Sequence, residues 1–305
     1  MGEMKHEMCA IWQESDGGSP KQATVSASNF LLPWSGNSLG LADLSFIAGR
    51  SCPRVIGIIG PESAGKTTLL AAWYLLLGRG SKLTGNCFAG SFTLSGWENI
   101  AQSLRWTSGG GPTFPAHTSS GSQRTPGLLH LLIRQQPSNL LLDLLLADAP
   151  GEWFRNWAIN KNATDAVGGC WVSQHSDVFL VMADSEALAG HERGIARNLL
   201  RQILQRLGDE RDGRPVALVW TKADVTVPDS IRLSVKDAAE RHLGLHSEFS
   251  LSVYPQTDGD TVVPAEQGFM DLLAWVMQAR EASFIRPSPA ARIPNSFFAY
   301  GHVSG

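Results

Sequence analysis

One short segment carries the residue types that phosphate chemistry requires. Gly60–Thr67 reads Gly-Pro-Glu-Ser-Ala-Gly-Lys-Thr and matches the pattern G-x-x-x-x-G-K-[ST] without a gap. Glycines let such a loop turn its backbone N–H groups inward around phosphate oxygens, and the N-terminus of a following helix adds partial positive charge. We expect Lys66 to reach the β- and γ-phosphates of a nucleoside triphosphate and the Thr67 hydroxyl to bind Mg²⁺. The residues predicted to contact the nucleotide here are Gly60, Ser63, Ala64, Gly65, Lys66, Thr67 and Thr68.

A second candidate group follows an apolar run. Leu140–Ala147 is apolar except for Asp143, and it leads into Asp148-Ala-Pro-Gly151. A carboxylate at the end of a buried strand beside the phosphate loop is placed to hold Mg²⁺ through water. The N–H of Gly151 is then placed to reach the γ-phosphate. The alternative reading of Asp148 is a turn residue before Pro150, which is a common arrangement.

A third group, Thr221-Lys222-Ala223-Asp224, directly follows the apolar run Val216–Trp220. A carboxylate at Asp224 can accept from the N1 and N2 hydrogens of guanine, a bidentate match that adenine cannot offer. The aliphatic stem of Lys222 can lie along the plane of the base. In isolation such a tetrad is typical of a surface turn. Its place after a buried strand, downstream of the other two groups, favours a guanine site that includes Thr221, Lys222 and Asp224.

The three groups, in this order, resemble the motifs of Ras-like P-loop GTPases of the translation-factor (TRAFAC) class. The resemblance covers about residues 53–280. It implies that the bound cofactors are Mg²⁺ and GTP or GDP. It also implies that Asp148 and Gly151 form the second switch and that Asp224 reads guanine. For the fifth motif of that family, Ser252-Val253-Tyr254 is the best candidate.

Two segments are more narrowly similar to the bacterial double-GTPase proteins. They are Arg124–His130, which reads Arg-Thr-Pro-Gly-Leu-Leu-His, and Asp148–Phe154. That group is associated with bacterial conflict and defence gene clusters, in which each member lies beside a second GTPase. The resemblance therefore implies a protein partner, either a second GTPase or a GTPase-activating subunit, and a role in antiviral defence.

Ras-like proteins also place a Mg²⁺-binding threonine shortly before a hairpin, and three threonines are candidates for it here. Thr125 lies 23 positions before Asp148, which leaves room for a hairpin and little else. It also lies three residues before the apolar run at Leu128. We therefore assign this role to Thr125, with Thr113 and Thr118 as the alternatives.

Glu152 stands where the family has its water-orienting glutamine. A carboxylate can accept from the attacking water, but the γ-phosphate repels it. We therefore predict slow hydrolysis, or hydrolysis completed by a positive charge from Arg124 in cis or from a partner's arginine. An equally good interpretation is that Arg124 is a solvent-exposed charged residue of the loop with no part in hydrolysis. The predicted catalytic residues are Lys66, Arg124, Thr125 and Glu152.

Three large aromatic residues, Trp153, Phe154 and Trp157, crowd the segment after Gly151. Packing onto a neighbouring helix is one interpretation, and we expect it for at least one of them. The other is a docking patch that is exposed or withdrawn with the γ-phosphate.

The elements that must position these groups alternate between strand and helix patterns. The predicted strands are Val55–Ile59, Leu128–Arg134, Leu140–Ala147, Asp177–Met182, Pro215–Trp220 and Phe249–Tyr254, and the predicted helices are Thr67–Leu77, Ile195–Leu207 and Phe269–Ala279. This alternation predicts an α/β fold, a mostly parallel P-loop NTPase sheet with helices on both faces. The hairpin between the second and third strands implies one antiparallel edge strand. We divide the chain into a loop-rich extension (1–52), a G domain (53–280) and a Pro/aromatic tail (281–305).

The composition of the chain limits the classes of partner that it is expected to bind. The formal net charge of −3 argues against direct nucleic-acid binding through a general basic surface. No apolar run approaches the ~20 residues needed to span a bilayer, and the four cysteines lack zinc-site or disulfide-framework spacing. We therefore expect a soluble cytoplasmic protein with no membrane partner. The candidate functions are a GTPase switch, a non-catalytic nucleotide-dependent scaffold, and an ATP-dependent enzyme such as a small-molecule kinase, against which Asp224 argues.

Overall fold

The computed structural model describes residues 37–49, 51–81, 83, 85–105, 126–254, 256–258 and 261–279. Four residues weighed above for the first switch and for hydrolysis lie outside these ranges: Thr113, Thr118, Arg124 and Thr125. Most of the N-terminal extension and all of residues 281–305 also lie outside them. The roles and domain boundaries assigned to these segments therefore stay predictions.

Seven strands form one sheet in the order β2-β3-β4-β1-β5-β6-β7. The strands are β1 (Arg54–Ile59), β2 (Asn86–Gly90), β3 (Gly127–Gln135), β4 (Leu141–Asp148), β5 (Val178–Asp184), β6 (Val216–Thr221) and β7 (Ser247–Ser250). Strands β4, β1, β5, β6 and β7 run parallel, whereas β3 is antiparallel to both of its neighbours. The predicted α/β class with a mostly parallel sheet is confirmed. A separate hairpin joins β8 (Gln256–Asp258) to β9 (Thr261–Val263).

The edge of the sheet beside β3 is taken by β2, a strand that the sequence analysis did not predict. It is five residues long, and its register shifts between Phe88 and Gly90. Its side chains are all partly or fully exposed, so no alternation of apolar and polar residues marks it. The antiparallel strand β3 therefore lies one position inside the edge.

Helices cover both faces of the sheet, as predicted. One face carries α2 (Lys66–Gly78), α3 (Leu94–Ala101) and α9 (Ala265–Gln278), and the other carries α1 (Leu44–Ala48), α4 (Gly151–Ile159), α5 (Val167–His175), α6 (Ser185–Ala189), α7 (Arg193–Glu210) and α8 (Asp229–Leu243). Each face of the sheet has its own hydrophobic core, and alternate residues of β5 point into each of them. Leu180 packs in the core with α2, α3 and α9, and Val181 packs in the core on the opposite face. All of β5 is buried, as is typical of a central parallel strand with both faces covered.

The predicted strand at Phe249–Tyr254 is wrong in its bounds, because β7 ends at Ser250. Leu251 still donates its N–H to the Trp220 carbonyl at 2.7 Å, and the chain then bends at Val253 and Tyr254. The Ser252 hydroxyl accepts the N–H of Tyr254 at 3.0 Å. A local side-chain bond of this kind replaces the pairing that a longer strand would need.

A buried polar pair explains why Asp143 interrupts the apolar run Leu140–Ala147. His130 on β3 and Asp143 on β4 are both about 1% exposed, with Nε2 and Oδ1 2.8 Å apart. The His130 Nδ1 accepts the N–H of Phe92 at 3.0 Å, and Ser51 donates to the second Asp143 oxygen. Buried charges are tolerated when they are paired and hydrogen-bonded. This network ties the segments before β1 and after β2 to the hairpin that ends at Asp148.

Part of the predicted N-terminal extension packs on this hairpin. Leu39 forms an antiparallel bridge with Leu128, and Ile47 of α1 is fully buried. Within the described part of the chain, no helix has both the length and the apolar character to cross a membrane.

Candidate functional site

The phosphate loop joins β1 to α2, as predicted. Gly65, the residue before α2, has φ = +82°, a left-handed conformation that favours glycine. Ser63 also has a positive φ of +61°, so the loop turns sharply before the helix begins at Lys66. A Cβ at Gly60 would lie 2.9 Å from the Cβ of Met182, which restricts this position to glycine. The backbone therefore has the tight turn that a phosphate cradle needs.

Lys66 lies almost fully buried at the start of α2. Its Nζ donates to the carbonyl oxygens of Gly60 at 3.1 Å and Pro61 at 2.7 Å. Burial lowers the pKa of this ammonium to about 8, although the negative charges of Asp148 and Glu62 partly oppose the shift. Carbonyl dipoles compensate a buried charge less well than an anion does. The burial of the Lys66 ammonium therefore favours the binding of a phosphate anion next to it.

Two oxygen groups converge next to the loop. The Thr67 hydroxyl lies 3.4 Å from Oδ1 of Asp148, which brings the end of β4 against the first turn of α2. Hydroxyl and carboxylate oxygens are ligands that Mg²⁺ takes in proteins. Mg²⁺ usually binds through one or two such groups together with nucleotide phosphates and waters. Thr67 and Asp148 therefore fit a Mg²⁺ ion that is shared with a bound triphosphate.

The second motif touches the phosphate loop through its backbone. A Cβ at Gly151 would lie 2.2 Å from the backbone nitrogen of Glu62 and 2.5 Å from its Cα. Glycine is therefore needed here because the two backbones are in contact. Helix α4 begins at Gly151 and exposes Glu152 in its first turn. A ligand that displaces this backbone would act directly on α4.

The aromatic residues of α4 are core residues. Phe154 and Trp157 are fully buried, and Trp153 is 8% exposed. Trp153 packs so closely on α5 that a Cβ at Gly168 would lie 2.1 Å from its ring. Trp157 Nε1 donates to Glu210 of α7 at 3.1 Å. Because α5 and α7 cover these rings, the packing interpretation is confirmed for all three. The nucleotide-gated docking patch stays a prediction.

At the end of β6, two residues of the third motif have well-defined partners. Thr221 Oγ1 donates to the Ala64 carbonyl at 3.0 Å, which fixes this end of β6 to the phosphate loop. Asp224 Oδ1 accepts from the Ser252 hydroxyl at 2.7 Å, and the Ser252 hydroxyl accepts from the N–H of Tyr254. The structure thus brings the candidate fifth motif to the carboxylate that is predicted to read guanine.

One cavity of about 370 Å³ connects the two ends of the site. One end is lined by Glu62, Ser63, Ala64, Gly65, Lys66, Thr67, Thr68 and Gly151, and the other by Glu186, Thr221, Lys222, Asp224, Val253, Tyr254 and Phe269. The sequence analysis missed Glu186 and Phe269. Glu186 follows the carboxyl end of β5 beside β1, which is where open α/β sheets bind ligands. Phe269 has no comparable signal, since it lies inside a helix far along the chain.

A phosphate loop at the carboxyl edge of a mostly parallel sheet, with the third motif at the far end of the same cavity, defines a P-loop nucleotide-binding protein. The chain belongs to the Double-GTPase 2 family, whose model matches residues 54–276. It is therefore a GTP-binding protein of the GTPase class. The predicted resemblance to double-GTPase proteins is confirmed.

Individual known proteins are less similar to this chain than the family model is. Among curated proteins, none matches this chain. Among solved structures, the GTPase-like domain of S. cerevisiae Ski7, bound to GDP and inorganic phosphate, is similar with a TM-score of 0.37 and 14% identity. That match covers 77% of this chain and 51% of the Ski7 chain, so it spans about half of that chain's length.

Proposed function

We propose that this protein binds GTP with Mg²⁺ in the cavity, hydrolyses it slowly and changes its affinity for a partner protein with the nucleotide state. One observation carries the proposal. A single cavity has a buried Lys66 at one end and, at the other, an Asp224 carboxylate oriented by Ser252. The first group suits phosphate and the second suits the paired N–H donors of guanine.

The proposal gives each group a role. Lys66 and the loop N–H groups bind the β- and γ-phosphates, and Gly151 offers its N–H to the γ-phosphate. Thr67 and Asp148 hold Mg²⁺, Asp148 through water, and Thr125 is the proposed first-switch ligand. Mg²⁺, when bound, neutralises charge that develops on the phosphate oxygens. Asp224 accepts from guanine N1 and N2, and the Lys222 stem lies along the base.

The partner and setting follow from the family resemblance. A second GTPase or a GTPase-activating subunit is the proposed partner, in a bacterial conflict or defence system. Because Gly151 starts α4 and contacts Glu62, loss of the γ-phosphate would move the first turn of α4. A cytoplasmic location is part of the proposal. It is supported by Cys52, Cys87 and Cys170, the cysteines in the described part of the chain, which form no disulfide with one another.

Hydrolysis is tested by single turnover of bound GTP. With Mg²⁺ and excess protein, we expect GDP to form at roughly 10⁻⁴ to 10⁻² s⁻¹, the range of switch GTPases without a partner. Glu152→Gln is expected to raise this rate about tenfold, because the amide can both accept from the water and donate to phosphate. Glu152→Ala, the matched control, should not raise it. If bound GTP stays intact for a day in the wild type and in both variants, the proposed hydrolysis is wrong. The function as a nucleotide-dependent scaffold is then favoured.

The affinity for GDP is expected to fall as pH rises through about 8. Burial lowers the pKa of Lys66 to about 8 in the free protein, whereas bound phosphates favour the charged ammonium and raise it. Binding above that pH therefore takes up a proton, and the affinity should fall by up to about tenfold per pH unit. Titrations from pH 6.5 to 9.0, below the ionisation of guanine N1–H, at constant ionic strength measure this. Nucleotide affinity of Lys66→Arg should be flat over this range, since a guanidinium stays protonated. A flat wild-type profile would contradict a lowered pKa of Lys66 in the free protein.

A further inference from the structure

Lys222 adopts a conformation that the chain must enforce. It has φ = +50°, which is uncommon for a residue with a long side chain. Thr221, one residue earlier, is fixed to the phosphate loop through Ala64. The backbone therefore turns sharply at Lys222 to bring Asp224 to the cavity. Strained conformations of this kind persist only where surrounding contacts hold them.

The ammonium of Lys222 is held by two carboxylates from a different part of the chain. Its Nζ donates to Oδ2 of Asp184 at 2.8 Å and to Oε2 of Glu186 at 2.8 Å. Burial would lower the pKa of Lys222, but the hydrogen bonds and negative charges of Asp184 and Glu186 raise it above its ordinary value. The lysine is therefore a firmly held cation, at the end of a stem that lines the base end of the cavity.

Asp184 is itself held in place. It ends β5, is 5% exposed, and its Oδ1 accepts the N–H groups of Glu186 at 3.0 Å and Ala187 at 3.3 Å. One carboxylate thus caps α6 and binds Lys222 at the same time. Glu186 differs, because its side chain is 68% exposed. The Asp184 contact is shielded from water and should be the stronger of the two.

We propose that Asp184 and Glu186 form a carboxylate clamp, which fixes the stem of Lys222 as one wall of the base slot and keeps the turn to Asp224 in place. They are positioning residues that act through Lys222. This inference rests on the proposed function, because it assigns the clamp to the guanine end of that site. Its consequence is slow release of guanine nucleotides, since a fixed wall loses no side-chain freedom when the base binds.

The test uses neutral variants of nearly the same shape and two probes. Asp184→Asn is expected to raise the dissociation rate of a fluorescent GDP analogue about tenfold, and Glu186→Gln about twofold. Inorganic tripolyphosphate, which reaches the phosphate loop but has no base, should compete for all variants with unchanged affinity. Glu192→Gln, which neutralises an exposed carboxylate before α7, is the matched control and should release the analogue at the wild-type rate.

A double-mutant cycle separates the clamp from a general loss of structure. Lys222→Met keeps an apolar stem and removes the ammonium, so adding Asp184→Asn to it should change the release rate by less than twofold. Independent effects of the two changes would overturn the clamp. An Asp184→Asn release rate within twofold of wild type would also overturn it, as would an equal loss of tripolyphosphate affinity. Failure of the proposed function is a different result, in which the wild-type protein does not bind the GDP analogue.

Discussion

Replacing Lys66 by methionine is expected to weaken GTP and GDP binding by at least about 100-fold. The ammonium would make charge-assisted hydrogen bonds to two phosphates, each worth about 1.5–3 kcal/mol, and each 1.4 kcal/mol is about a factor of ten in affinity. The side chain is buried, and in the nucleotide-free protein it donates to the carbonyls of Gly60 and Pro61. Methionine fills nearly the same volume without a charge. Calorimetric titration of the nucleotide-free protein measures the loss.

This substitution should leave the fold intact, which makes the result easy to interpret. A buried ammonium with a lowered pKa destabilises the nucleotide-free protein, so Lys66→Met should melt at or above the wild-type temperature. Arg79→Met, at an exposed arginine just after α2, is the matched control and should bind normally. If Lys66→Met binds GTP within about threefold of wild type while melting normally, the phosphate site is misassigned.

The second large effect is expected at the other end of the cavity. Asp224→Asn should lower GTP affinity by about 100-fold or more and raise affinity for xanthosine triphosphate, because xanthine carries a carbonyl where guanine carries its amino group. The asparagine amide can donate to that carbonyl, and its oxygen can keep the hydrogen bond from Ser252 at the Asp224 Oδ1 position. Competition against a fluorescent guanine nucleotide measures both affinities.

The control for this change of base preference neutralises a different exposed carboxylate. Asp229 is exposed at the start of α8, five residues after Asp224. Asp229→Asn should leave the preference for GTP over xanthosine triphosphate unchanged. If Asp224→Asn loses GTP without gaining xanthosine triphosphate, the carboxylate is not in contact with the base.

The parts of the site that could be predicted are those whose signal is local in the sequence. The phosphate loop is a continuous run between an apolar strand and a helix, so its residue types fix both conformation and chemistry. Asp148 directly follows one apolar run, the Thr221–Asp224 tetrad directly follows another, and parallel strands bring their carboxyl ends to one edge. The hairpin could be predicted because its two apolar runs are separated by a short polar turn.

The parts that could not be predicted depend on contacts between distant residues. Nothing near Asp184 indicates that its carboxylate meets Lys222, because the packing of β6 beside β5 creates that contact. Asp143 reads as an interruption of an apolar run until His130 is placed across the hairpin. The short, exposed β2 has no periodic pattern, and aromatic residues alone do not reveal whether neighbouring helices cover them.

Selection of guanine nucleotides by the cavity is tested most directly by equilibrium binding to the wild-type protein. GTP and ATP are titrated separately into nucleotide-free protein with Mg²⁺. We predict that GTP binds at least about 100-fold more tightly, because Asp224 pairs with two guanine donors and finds no matching pair on adenine. Equal affinities for GTP and ATP would show that the cavity does not select guanine.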